Sequence, residues 1–412
     1  MEWLPAAIIG LIILRLAAQL GLEALNRGEV RRNATQRPAA LVDVMDEPTY
    51  AKAVQYTLAK SRFGTVETIY EVVILLVLLF SGVLPWLWLR FNTLAPGAAW
   101  SGALFLVGTM ILLGLPGLPL EWWAQFKLEE KFGFNKSTIG LWIADHIKSA
   151  ALGLVIGFPL MWGLLALVGW VGPLWWIWGF ALLFGFQLLM MVLYPKLIMP
   201  LFNKLTPLPD GDARSRLMAL ADRTGFKAQT IEVMDGSKRS GHSNAFFTGF
   251  GRFRRIVLFD TLMSQLGQDE VEAVLAHEIG HYKRGHIPQR LVTMALMQLA
   301  AFAAIAWLSN AAWFNTAFGL PAGALAPTFL LFALLGGVLA FWFSPIGNWV
   351  SRKHEYEADA FAKEAMGGPA PLVSALRKMS QKNLSNLTPH PLYSTFHYSH
   401  PTLVERERAL WA

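Results

Sequence analysis

The chain has 412 residues, of which 54% are hydrophobic and only 15% are charged, whereas soluble domains carry about 25% charged residues. This composition argues against a soluble protein, and the absence of cysteine excludes disulfides, thiol nucleophiles and sulfur ligands to metals. The formal net charge of +7 does not indicate a nucleic-acid partner, because the basic residues cluster in the loops between apolar stretches, as they do in membrane proteins.

Seven stretches of about 20 apolar residues are long enough to cross a bilayer. In chain order they are Leu4–Leu22, Tyr70–Leu89, Ala98–Leu120, Ala150–Val171, Leu174–Tyr194, Leu291–Phe314 and Pro327–Val350. One or two of them could be buried helices of a soluble protein. Seven together predict a mainly α-helical protein with seven transmembrane helices.

The basic residues predict the orientation of these helices. Of the 35 Lys and Arg residues, 33 lie in the segments 27–62, 127–148, 196–290 and 351–412. Positively charged loops stay in the cytosol. We therefore expect the N-terminus outside and the long loop and the C-terminal tail in the cytosol.

The spans divide the chain into four regions. Residues 1–195 hold helices one to five, 196–290 form a long cytosolic loop, 291–350 hold helices six and seven, and 351–412 form a cytosolic C-terminal region. Within the long loop, three short segments are typical of strands: Gln229–Met234, Ala245–Gly249 and Arg254–Phe259. They predict a small β-sheet in a cytosolic cap, where one strand edge could accept an extended peptide.

The sequence argues against serine hydrolysis, because Ser243 is the only serine that resembles a nucleophile elbow and its motif is incomplete. Its surroundings, Gly241–Ala245, lack the required second glycine.

A later segment of the loop, Glu270–Arg284, predicts a helix that Asp269 could cap and Gly285 could end. It contains the motif H-E-x-x-H at His277 to His281. Residues four apart share one helical face, so both imidazoles can bind one Zn²⁺ while Glu278 points to a water on the metal.

A catalytic zinc needs a third protein ligand. One group of zinc proteases places a glycine and a third histidine after the motif, but this chain has Arg284 and Ile287 at those positions. His286 is five residues beyond His281 and falls on a different helical face. We therefore expect the third ligand from another part of the chain, with His286 as a weaker alternative.

The segment Ser351–Lys363, just after the last span, supplies that ligand in our interpretation. Glu355 and Asp359 are four residues apart, so Glu355 can bind zinc while Asp359 accepts the free N–H of a ligating histidine. The phase of the helix rotates His354 and Glu357 away, which makes them solvated charges. His354 remains the rival ligand if that phase is wrong.

Five separated blocks, in order along nearly the whole chain, carry a resemblance to a known family. They are Phe126–Thr138, Gly236–Phe250, the helix with H-E-x-x-H, Glu355–Asp359 and Tyr393–Arg406. Together they resemble the type I CAAX prenyl proteases, membrane zinc endopeptidases that trim the C-termini of prenylated proteins.

The resemblance implies a seven-helix barrel enclosing a water-filled chamber, with one Zn²⁺ per chain facing the interior from the cytosolic cap. It also implies that His400 lies near the zinc and that Asn244 contacts the substrate backbone. From the residues alone, His400 could be an ordinary loop histidine and Asn244 a turn residue.

The expected function is peptide hydrolysis in which Glu278 moves the proton of a zinc-activated water and His400 helps to stabilise the oxyanion. The expected partners are a peptide or protein substrate, prenylated or not, and the lipid bilayer of a bacterial inner membrane or the endoplasmic reticulum. Two alternatives stay open. One is a general quality-control protease with the same site, and the other is a scaffold or transporter in which Arg15 lines a path.

Overall fold

The structure is a computed structural model that describes residues 3–35, 38, 41–226, 230–248 and 255–412. The predicted strand ends Gln229, Gly249 and Arg254 lie outside these residues. The described chain is mainly helical and includes one four-stranded sheet.

The helices of the first half are α1 (Trp3–Arg32), α2 (Glu47–Phe80), α3 (Val83–Asn92), α4 (Ala99–Gly114), α5 (Leu118–Trp123), α6 (Glu130–Phe132), α7 (Ile139–Leu152), α8 (Phe158–Val171), α9 (Trp175–Leu193) and α10 (Met199–Phe202). Those of the second half are α11 (Asp212–Arg223), α12 (Asp260–Gln265), α13 (Gln268–Lys283), α14 (His286–Asn310), α15 (Ala312–Thr316), α16 (Leu325–Ala365), α17 (Ala370–Lys382), α18 (Pro391–His397) and α19 (Leu403–Trp411). Short 3-10 or π-helical turns lie at Leu115–Gly117, Ala124–Glu129, Gly153–Gly157, Gly172–Leu174, Tyr194–Ile198 and Gly236–Lys238.

Six helical stretches of the described chain are long and apolar enough to cross a membrane. They are Trp3–Arg32, Glu47–Phe80, Ala99–Phe132, Ile139–Phe202, His286–Asn310 and Leu325–Ala365. The predicted count of seven is not confirmed, because the fourth and fifth predicted spans belong to one stretch of 64 residues, Ile139–Phe202. Within that stretch Gly172 has a φ of 63° and separates α8 from α9.

The second predicted span, Tyr70–Leu89, is wrong as a single helix. Helix α2 ends at Phe80, and Gly82 has a φ of 83°, a left-handed conformation that a glycine adopts at little cost. The chain turns there and continues as α3, which buries Leu84 and Leu87. Apolar composition runs across this turn, so hydropathy alone does not detect it.

The sheet consists of β1 (Leu205–Pro207), β2 (Thr230–Met234), β3 (Ala245–Thr248) and β4 (Arg255–Phe259), in the order β1-β2-β4-β3. Strands β2 and β4 are parallel, with Ile231 opposite Ile256, and β3 is antiparallel to β4. Both isoleucines are buried in the core that also contains residues of α11 and α13. The order leaves β3 at one edge of the described sheet.

The motif helix α13 starts two residues earlier than expected. Glu270 Oε2 accepts a hydrogen bond from the N–H of Gly267 at 2.6 Å, so Gly267 is the N-cap and Asp269 lies inside the first turn. Gly285 has a φ of 74° and separates α13 from α14, as the sequence predicts.

Helix α16 is continuous from its apolar part into the segment with Glu355, although Pro345 lies inside it. It packs against α13 at an unusually close contact. A Cβ built on Gly280 would lie 2.9 Å from the backbone Cα and O of Ala358. Since only a glycine permits this approach, Gly280 brings the two site helices together.

Candidate metal centre

Three predicted ligands lie together where α13 faces α16. His277 Nε2 and His281 Nε2 are 3.2 Å apart, because the two residues are one helical turn apart on one face. From α16, Glu355 places Oε2 3.4 Å from His277 Nε2 and Oε1 3.2 Å from His281 Nε2. The group is the kind of cluster that holds a metal ion.

The spacing and burial of this cluster fit a metal ion. Two nitrogen or oxygen ligands bound tetrahedrally at about 2.0–2.2 Å lie about 3.4 Å apart, close to the separations of 3.2 and 3.4 Å found here. Glu355 is 3% exposed, and its buried Oε2 accepts no hydrogen bond within the described residues. A cation would satisfy this acceptor, which is otherwise costly to bury.

Glu278 directly follows His277 in α13 and is half-buried. Burial raises the pKa of its carboxyl, while the neighbouring His277 and His281 act in the opposite direction. The net effect is a raised pKa. A carboxyl of this kind holds and returns a proton more readily than a solvated one.

Asp359 lies directly behind His277. Its Oδ1 is 2.8 Å from His277 Nδ1, the nitrogen that points away from the ligand cluster. Arg406 makes two hydrogen bonds to the same carboxylate, from Nε at 2.8 Å and from Nη2 at 2.6 Å. Sequence reasoning missed Arg406, although it ends the C-terminal block Tyr393–Arg406, because no spacing rule connects it with α16.

On the other side of the cluster, His281 Nδ1 is 2.9 Å from His286 Nδ1, and His286 Nε2 is 2.9 Å from Glu357 Oε2. The ring of His354 stacks on that of His286, with centroids 4.0 Å apart. His286 therefore contacts a predicted ligand without joining the cluster, as the sequence indicates.

The interpretation of His354 as a solvated charge is wrong. It is 6% exposed, and its Nε2 lies 3.1 Å from Gln289 Oε1. Glu357 is half-exposed but hydrogen-bonded to His286. Both differences arise because α14 packs against this part of α16, a contact that helical phase does not reveal.

His400 lies at the open side of the cluster. Its Nε2 is 3.4 Å from Glu355 Oε1, and its side chain is 63% exposed. The two histidines nearest to it in sequence have other contacts: His390 accepts a hydrogen bond from the N–H of Leu392, and His397 packs against Tyr393.

Asn244 is exposed and immediately precedes the edge strand β3. Its Oδ1 accepts a hydrogen bond from the N–H of Ala245 at 2.8 Å. Its backbone carbonyl accepts a second bond from the N–H of Phe259 in β4. These bonds fix the residue at the end of the sheet.

A cavity of about 710 Å³ opens beside the cluster. His400 and Arg406 line it together with Glu23 of α1 and Lys60 of α2. His400 places this cavity next to the metal cluster, and Glu23 and Lys60 place it next to α1 and α2.

A fold of several apolar helices that holds H-E-x-x-H opposite a buried glutamate defines a membrane metallopeptidase. Two family models agree with this class. One, described as CAAX prenyl protease N-terminal, five membrane helices, matches residues 27–204, and the other, peptidase family M48, matches residues 207–412. The chain belongs to peptidase family M48.

Several known proteins are similar over almost the whole chain. CAAX prenyl protease 1 of Saccharomyces cerevisiae is 38% identical, over 91% of this chain and 88% of the relative. Its homolog from Arabidopsis thaliana is 37% identical, over 90% of both chains. The crystal structure of S. mikatae Ste24p has a TM-score of 0.90 and 36% identity, and covers 100% of this chain and 99% of that chain. The resemblance stated from the sequence is confirmed, and the chain is a multi-pass integral membrane peptidase.

Proposed function

We propose that this protein is a zinc endopeptidase in which His277, His281 and Glu355 hold one Zn²⁺. The observation that supports it most strongly is the spacing between the ligand atoms of these three residues, 3.2 to 3.4 Å. Two imidazoles and one carboxylate form a known ligand set of catalytic zinc. Zinc also accepts these nitrogen and oxygen ligands without sulfur.

Bound zinc supplies a Lewis acid that polarises the substrate carbonyl and lowers the pKa of water. Glu278 takes the proton of the attacking water and transfers it to the leaving amine. Asp359 accepts the Nδ1–H of His277, which fixes the tautomer and the direction of its ring. His400, on the exposed side of Glu355, donates to the oxyanion as the carbonyl carbon becomes tetrahedral.

We propose that the substrate lies along β3, with Asn244 contacting its backbone. Strand β3 pairs with β4 along one edge and has no second partner among the described strands. An extended peptide can add to such an edge through main-chain hydrogen bonds. Helix α13 packs beside β3, so the added peptide would pass close to the metal cluster.

The proposed substrates are C-terminal peptides of CAAX type that carry a prenyl group. Relatives that are 37–38% identical over about nine tenths of this chain are named CAAX prenyl proteases. The test compares a farnesylated CAAX peptide with its unmodified twin. We expect the farnesylated peptide to have a kcat/KM about tenfold higher or more, since a long apolar group adds binding energy.

The Glu278→Gln variant is the control in this test, because it removes the proposed base. Equal cleavage of both peptides would support a general quality-control protease with the same site. Cleavage of neither peptide by zinc-loaded protein would contradict the proposal.

We also propose seven membrane crossings arranged as a barrel around a chamber, with the N-terminus outside. The stretch Ile139–Phe202 would cross twice, since at about 1.5 Å per residue 64 residues far exceed a bilayer, and α8 packs against α9 beyond the turn at Gly172. The cap regions 196–290 and 351–412 would then be cytosolic, in the bacterial inner membrane or the endoplasmic reticulum. Helices α14 and α16 continue across the boundaries between these regions and the spans.

A further inference from the structure

The two proposed histidine ligands have different partners at the nitrogen that points away from the cluster. His277 Nδ1 faces the carboxylate of Asp359 at 2.8 Å. His281 Nδ1 instead faces another imidazole nitrogen, Nδ1 of His286, at 2.9 Å. Metal-bound histidines nearly always donate this second N–H to an acceptor, so the direction of the hydrogen bond between the two rings needs to be assigned.

The protons can be placed in one consistent way. If Nε2 of His281 binds the metal, its Nδ1 carries a proton and donates it to His286 Nδ1. His286 must then be protonated on Nε2. That atom lies 2.9 Å from Glu357 Oε2, a distance at which an N–H donates to a carboxylate. Each donor meets an acceptor, and both rings are neutral.

The fold holds His286 rigidly in this position. The side chain is 1% exposed, and the ring of His354 stacks on it at an interplanar angle of 11°. Gly285 has a φ of 74°, which turns the chain sharply enough for His286 to reach back to His281. Glu357 is on α16, two residues from Glu355, so one helix supplies a ligand and the end of the hydrogen-bond chain.

We propose that His286 and Glu357 are positioning residues that orient His281 through the chain His281–His286–Glu357. This inference rests on the proposed role of His281 as a metal ligand. The chain fixes the tautomer of His281 and strengthens its ring as a donor to the metal. Asp359 thus orients the ring of His277 directly, whereas Glu357 orients the ring of His281 through the imidazole of His286.

The test is zinc affinity, measured by competition with a coloured chelator on the purified full-length protein in detergent. We expect His286→Ala to weaken zinc binding by about 10- to 100-fold, the usual scale for such partners. Glu357→Ala should weaken it less, and Glu357→Gln should recover most of the loss because its carbonyl still accepts the hydrogen bond. Lys353→Ala, which removes an exposed cation near Glu357, is the matched surface control and should have no effect.

A double-mutant cycle separates the relay from general destabilisation. If Glu357 acts through His286, the double variant His286→Ala with Glu357→Ala should bind zinc as weakly as His286→Ala alone. Additive losses in zinc affinity, or an unchanged zinc affinity in Glu357→Ala, would overturn the proposal. Because Glu357 is half-exposed, the Glu357→Ala variant tests the proposal even if His286→Ala fails to fold. The His281→Ala variant tests the site itself: if it keeps zinc, the proposed ligand set fails and not only the relay.

Discussion

The proposed base, Glu278, is next to a proposed ligand but is not a member of the cluster of His277, His281 and Glu355. We therefore expect Glu278→Gln to lower kcat by about 10²–10⁴-fold, the contribution of a positioned base, and to keep full zinc content. The measurement is peptide cleavage together with metal analysis of the same sample.

The ligand variants are the matched comparison. His277→Ala, His281→Ala and Glu355→Ala should lose zinc and activity together, because each removes one of the three metal bonds. Loss of zinc in Glu278→Gln would make Glu278 a ligand. Zinc retained in Glu355→Ala but lost in His354→Ala would move the third ligand to His354.

His400 lies at the open side of the metal cluster, and its proposed role as oxyanion donor depends on that position. If His400 donates a hydrogen bond to the oxyanion, the His400→Ala variant should lower kcat by about 10²–10³-fold with little change in KM or zinc content. His390→Ala and His397→Ala should change stability by roughly 0.5–3 kcal/mol without that loss of kcat. Single-turnover cleavage by the three variants distinguishes these results, and equal mild effects would remove His400 from the mechanism.

At the scale of elements, the site depends on the distance between α13 and α16. Gly280→Ala would put a Cβ 2.9 Å from the backbone of Ala358 and 3.2 Å from the Cβ of Phe361. Backbone atoms cannot move aside cheaply, so we expect a loss of about 1–3 kcal/mol in stability together with weaker zinc binding. Thermal unfolding and chelator competition measure the two effects.

The control for this change is Gly347→Ala on the partner helix α16. A Cβ there meets no atom within 4 Å, so the substitution should be neutral or slightly stabilising, as alanine favours helix. If Gly280→Ala behaved like Gly347→Ala, the close approach of the helices would not control the metal site.

The sequence predicted features that depend on local periodicity. The pair His277 and His281 and the helical phase of Glu355 depend only on 3.6 residues per turn, and the structure brings these residues together. Contacts between distant segments were not predictable in this way. The hydrogen bonds of Arg406 to Asp359 and the stacking of His354 on His286 depend on how α19 and α14 pack against α16, which one sequence does not specify.

The boundaries of the membrane helices were likewise predictable only in part from local sequence pattern. Apolar composition located the helices that cross the membrane and separated Ala150–Val171 from Leu174–Tyr194 at Gly172, but it ran through the turn at Gly82. A single glycine inside an apolar stretch, such as Gly82, does not by itself reveal that it turns the chain.

At the scale of the whole molecule, α16 runs without interruption from an apolar segment to Glu355 of the metal cluster, and α14 runs from its apolar segment to His286 beside the cluster. The cluster is therefore fixed relative to the membrane, and the orientation of the helices decides on which side peptides are cleaved. The clustering of basic residues next to the spans supports a cytosolic site.

This orientation predicts the fate of the four N-x-S/T sequences at Asn33, Asn135, Asn383 and Asn386. In a eukaryotic host all four should remain without glycan, because glycans are added on the side opposite to the cytosol. A sequon in an N-terminal tag should be glycosylated, and it is the positive control on the same molecule. Gel mobility before and after removal of glycans gives the result. A glycan at Asn386 would reverse the orientation.

The number of crossings is tested by a tag placed after Ala412. Seven crossings put the two ends of the chain on opposite sides of the membrane, so this tag should react with antibody only after the membrane is made permeable. If both termini were found on the same side, the number of crossings would be even, and Ile139–Phe202 would not cross twice.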